Sequence, residues 1–116
     1  QSAHVERRRS GRTDWTPEVQ IYDALLALSG SPVVALNRAL AIAELQGPPA
    51  ALDILETLAA DGRLLQYQPY WAARAALLAR THAYPEARDA FDMAIGLASD
   101  PAVRRFLQER QAALPR

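Results

Sequence analysis

The prolines constrain this chain more than any other feature. There are eight in 116 residues, and a proline inside a helix removes a hydrogen bond and clashes with the preceding turn. Yet the residues between them are those of helices. Six of the eight, at 17, 32, 49, 69, 85 and 101, lie 15, 17, 20, 16 and 16 residues apart. Proline at a helix start costs nothing, because that N–H has no intrahelical partner. Thr16-Pro17, Ser31-Pro32 and Asp100-Pro101 each set a capping side chain before the proline. Pro49, Pro69 and Pro85 open three more helices. Each gap holds about three turns and a short loop, which predicts antiparallel neighbours. Apolar residues recur at helical spacing, as in Ala87, Phe91, Ala94, Ile95 and Ala98. Leu52, Leu55, Leu58 and Ala59 repeat the pattern, as do Val103, Phe106, Leu107 and Leu114. No segment alternates with period two. The expected class is all-α, a stack of about six antiparallel helices.

Two helices with their loops make a unit near 34 residues, the tetratricopeptide period. From Trp71 to Phe91 the match to that motif has no gaps. Trp71 takes the aromatic position, Ala75 the small one and Leu78 the large one. Ala87, Phe91 and Ala94 follow in the second helix. In the preceding unit Ala39 and Ala51 take the small positions, again twelve apart, but no Trp is present. The linker "DGRLLQY" carries about two extra residues. Ala24, Ala27 and Pro32 resemble a lone second helix. The expectation is two and a half tetratricopeptide-like repeats over 13–116, closed by a last helix from Pro101. Residues 1–12 read as the end of an upstream helix and a basic linker, so the chain reads as a fragment of a longer protein.

In such a hairpin the first helix lines the concave groove. Asn37 falls two residues before the small Ala39, and Glu44 lies two turns further along the same stripe. Arg80 occupies the stripe of the next unit. Asn37, Arg38, Glu44 and Arg80 are therefore the candidate partner-binding residues, with Arg38 turned to the rim or to the first helix. Two roles stand for each of the first two. Asn37 also suits a bond to a loop carbonyl, and Arg38 an ion pair with Asp23 or Glu44.

Composition excludes several functions. Net charge is zero, which argues against binding nucleic acid through an overall field. All 13 basic residues are Arg. With no Cys there is no disulfide or thiolate metal site, which fits a cytoplasmic location. No apolar run approaches the roughly 18 residues of a membrane span. His4 and His82 belong to no metal-ligand spacing, and His82 suits the end of a helix. No nucleophile elbow or phosphate loop is present, so neither catalysis nor a cofactor is expected. "ERRRSGR" reads as a solvated linker. Trp15 reads as a staple onto Val19 and Trp71 as core, while Tyr67 and Tyr70 suit loop packing or the edge of a ligand site.

The stretch "TDWTPEVQIYDALLALSGSPVVALNRALAIAELQGPPAALDILETL" resembles the C-terminal extension of one group of bacterial extracytoplasmic-function sigma factors. There a pattern "TDW…I…LYD.LL.L.PSPVV.LNRAVA.AE..GP.AAL" follows the promoter-recognition domains. "AARAALLARTHAYPEARDAFDMAIGLASDPAVRRFL" is similar to the same extension's "R..LLRRLGR..EA..AY..A..L..NPAER.FL". The resemblance covers about residues 13 to 110. It departs at "LSGSP" for "LAPSP" and at "LARTHAYPEA" for "LRRLGRxxEA". It implies a non-catalytic, tetratricopeptide-like regulatory domain. The implied partners are the upstream sigma domains, within the same chain, and RNA polymerase or a regulator. DNA would be met only through the upstream domains, and no membrane is implied. A stand-alone tetratricopeptide adaptor and a small-molecule sensor are the other readings open to a helical stack of this kind.

Overall fold

The computed structural model describes residues 14–116, so the expectations for residues 1–12, including His4 and the basic run, lie outside it. Among the described residues there are six helices and no strand. These are α1 (Thr16–Ser29), α2 (Pro32–Gln46), α3 (Pro48–Asp61), α4 (Gln68–Arg80), α5 (Tyr84–Leu97) and α6 (Pro101–Ala112). Every one carries proline in its first two positions. Each helix packs on its chain neighbour, and α2 also touches α4. The result is an all-α stack of antiparallel helical hairpins.

The caps explain the starts. Ser31 Oγ accepts from the N–H groups of Val33 and Val34, and Asp100 Oδ1 from Ala102. Thr16 is not the cap of α1. It lies inside the helix, and its N–H donates to Asp14 Oδ1 at 3.0 Å. The carboxylate two residues upstream does the work expected of the hydroxyl, a common trade at helix starts. The carbonyl of Trp15 accepts from the Val19 N–H, and its ring packs with Tyr22 against Val19, Ala41 and Ile42.

The repeat register is written in burial. Ala39, Ala51, Ala75 and Ala87 are all fully enclosed. They recur at an interval of 36 residues, Ala39 to Ala75 and Ala51 to Ala87. A methyl group at these positions lets the helices of each hairpin close on one another. Two clusters result. Leu36, Ala43, Leu55 and Leu77 fill one, and Phe91, Ala94, Ala98 and Leu107 fill the other. The extra linker residues between α3 and α4 have a use, since Leu64 turns inward and is buried in the first cluster.

Three expectations need correction. Trp71 packs against both clusters but is only half-buried, and its indole N–H donates to the Leu65 carbonyl in the loop, 2.9 Å away. The interior place goes to Tyr70, 1 % exposed, whose hydroxyl donates to the Leu55 carbonyl. The two rings meet edge to face at 5.2 Å. A phenol can sink fully because its single hydroxyl finds a carbonyl inside, whereas the larger indole keeps one edge outside. Phe106 has the spacing of an inner residue of the last helix but is 55 % exposed, with the Arg110 guanidinium 5.7 Å from its ring. Leu107 takes the inner position.

His82 does end its helix, through its backbone. Among the described residues it is the non-glycine residue with positive φ, at 64°. Its N–H reaches the Ala79 carbonyl, and the next N–H, of Ala83, reaches Leu78. This paired closure is a Schellman motif, whose left-handed position favours glycine. The pattern quoted above has Gly at this place. Here His82 holds the left-handed turn, with Nδ1 2.7 Å from the Tyr84 hydroxyl.

Candidate functional site

The hairpin register decides where the four candidate residues go. Asn37 and Glu44 stand two turns apart on α2 and both line an open groove of about 410 Å³. Leu40 and Ala41 form its floor, and Trp15 and Tyr22 its aromatic wall. Asn37 is exposed to solvent within it. Glu44 reaches past the groove to the next unit, where Arg80 Nη1 donates to its Oε2 at 3.0 Å. This contact joins α2 to α4, the first helices of consecutive hairpins. Both side chains stay nearly half exposed, so the pair contributes little to stability. Its effect is to hold the groove-lining Glu44 carboxylate against the Arg80 guanidinium. The wall thus offers an aromatic pair, an amide and a bridged carboxylate, each able to meet a visiting group.

Arg38 leaves this set. Its Nε contacts Asp23 Oδ1 at 2.5 Å, across to α1. The 100° turn between successive helix residues carries it off the stripe that holds Asn37. Its counterpart 36 residues later is Arg74, and Arg74 makes the same move, pairing with Glu56 of α3 at 2.7 Å. In both hairpins the arginine of the first helix ties back to an acid on the preceding helix. Sequence reasoning passed over Arg74, although the Ala39/Ala75 register pointed to it. Arg74 also lines a second, smaller groove of about 230 Å³ between α4 and α5, with Trp71 and the acidic Glu86 and Asp89.

Comparison with known proteins adds one relative. Over 105 residues the chain is 40 % identical to an uncharacterized protein of Rhizobium meliloti, a match covering 90 % of this chain and 24 % of that protein. The chain therefore spans about a quarter of the length of the curated relative it matches. No family model matches it, and no solved structure does. No described helix is long and apolar enough to cross a membrane.

Proposed function

We propose that this chain is the non-catalytic, C-terminal regulatory domain of an extracytoplasmic-function RNA polymerase sigma factor. Its work is binding. The groove around Asn37 and the Arg80-bound Glu44 docks the upstream sigma domains or a partner of the polymerase. Regulation is then a shift between docked and released arrangements. One observation carries the docking role: Asn37 and Glu44 line one groove on a side that leaves Asn37 unburied, and Arg80 of the next hairpin binds Glu44. Placed polar groups on an apolar wall give specificity, because a wrong partner leaves them unpaired. The sigma-factor part rests on the motif resemblance, and the greater length of the Rhizobium relative is in keeping with it. The aromatic pair Trp15 and Tyr22 also suits a small ligand, which would make the same groove a sensor.

Removing residues 14–116 from the full genomic protein is the direct test. Promoter-dependent transcription in a purified system should change several-fold while the sigma domains stay folded. Unchanged transcription would refute a regulatory role.

A further inference from the structure

The 36-residue repeat sets the two hairpins side by side, position for position. In the first, Ile42 of α2 and Ala50 and Ile54 of α3 pack with Val19 of α1. The same positions of the second hairpin are Leu78, Glu86 and Ala90. There they line an open groove of about 230 Å³, together with Trp71, Asp89 and Met93. Glu86 and Asp89 stand about one turn apart on α5, and both are exposed. Among the described residues neither is ion-paired. The nearby cations are engaged elsewhere, Arg74 with Glu56 and Arg88 with the Pro115 carbonyl. The groove therefore sets two uncompensated negative charges beside an indole ring and an apolar floor.

We infer that this groove docks the arginine run that precedes α1 in the same chain, Arg7, Arg8 and Arg9 of "ERRRSGR". Charge complementarity selects the occupant, since residues 6–12 hold four Arg and one Glu. Guanidinium is the cation that fits both parts of the wall. Its planar fork donates to a carboxylate, it stacks on an indole, and its weak hydration lowers the cost of leaving water. Leu78, Ala90 and Met93 suit its apolar stem. Topology brings the two together. Alternate helices of an antiparallel stack run the same way, so α1 and α5 start at one end of it, and Glu86 is the third residue of α5. The two starts are about two interaxial spacings apart, or roughly 20 Å. Arg7 lies seven residues before Asp14, a reach of about 23–25 Å when extended. Docked there, the run latches the polypeptide upstream of α1 across the end of the stack and sets the direction of its approach. This inference does not depend on the sigma-factor reading.

Disulfide trapping on the 116-residue chain tests it, because the chain has no Cys of its own. Val5→Cys lies just before the run and leaves every Arg in place. Met93→Cys lies in the groove at an exposed position. Under mild oxidation this pair should close within one chain about tenfold faster than Val5→Cys with Leu28→Cys, an exposed site on α1 that measures random encounter. Adding Glu86→Gln and Asp89→Asn should bring the rate down to that of the control pair, and Asp89→Asn alone should slow it several-fold. About 0.5 M salt, which screens exposed charges, should act in the same direction. Thermal melts should show the variants folded, since residues 28, 86, 89 and 93 are exposed. A Val5–Met93 pair that closes no faster than the control would overturn the inference. So would a rate indifferent to both carboxylate variants, or a disulfide formed only between chains.

Discussion

Tyr70→Ala lowers the stability of this domain by about 3–5 kcal/mol, the usual cost of removing a fully buried aromatic ring. The ring closes the junction of α3 and α4. It belongs to the cluster that includes Leu36, Leu55, Leu64 and Leu77, and its hydroxyl ties α4 to the Leu55 carbonyl. Tyr70→Phe separates the two contributions. It keeps the ring and loses one buried hydrogen bond, a cost of about 1 kcal/mol. Burial also pushes the Tyr70 phenol above its ordinary pKa. The unfolded chain then loses this proton before the folded one does. The stability Tyr70 contributes is complete below about pH 10 and is lost as pH rises beyond it. Urea unfolding at neutral and high pH measures all three effects. A Tyr70→Ala cost below about 1 kcal/mol would show that the ring is not what joins the hairpins.

Ala75→Leu and Ala87→Leu each destabilise the fold by about 1–3 kcal/mol, through overpacking rather than lost contacts. Both methyl groups are fully enclosed, on the facing helices of the α4–α5 hairpin. Three added carbons at either site force the helices apart or push neighbours such as Phe91 from their rotamers. Ala39 and Ala51 hold the same register in the preceding hairpin and are equally enclosed. Thermal melts of the variants, with Ala76→Leu as a less enclosed neighbour, decide it. Midpoints unchanged at both Ala75 and Ala87 would mean the two helices do not meet there.

Those four alanines were legible in the sequence, and so were the helix starts. Proline and alanine act locally, one through its missing N–H and the other through its size, and neither depends on distant partners. What escaped reading depends on distant partners. Tyr70 and Trp71 are adjacent aromatics, and which one sinks inside is decided by where the Leu55 and Leu65 carbonyls lie. Leu64 sits in a polar-looking loop and is drawn in by the cluster beneath it. Phe106 has the spacing of an inner residue, but α6 has a neighbour on one side only, and Leu107 is enough to fill that contact. At the candidate site, the two-turn spacing that sets Asn37 and Glu44 on one side of α2 followed from helix geometry, and Arg80 meets Glu44 there. The turn of Arg38 to Asp23 depends on where α1 lies, which no local spacing sets.

The central claim is that Asn37 and Arg80 serve recognition and not folding. Two assays on Asn37→Ala and Arg80→Ala test it together: the thermal midpoint of this domain, and promoter-dependent transcription by the full genomic protein. Asn37 is exposed and the Glu44–Arg80 pair is half exposed. Stability should therefore move by less than about 1 kcal/mol. Loss of a central docking group should shift partner affinity by about 2 kcal/mol, roughly thirtyfold, and transcription should change with it. Normal transcription together with a clearly lowered midpoint would contradict the claim and make both residues internal ties.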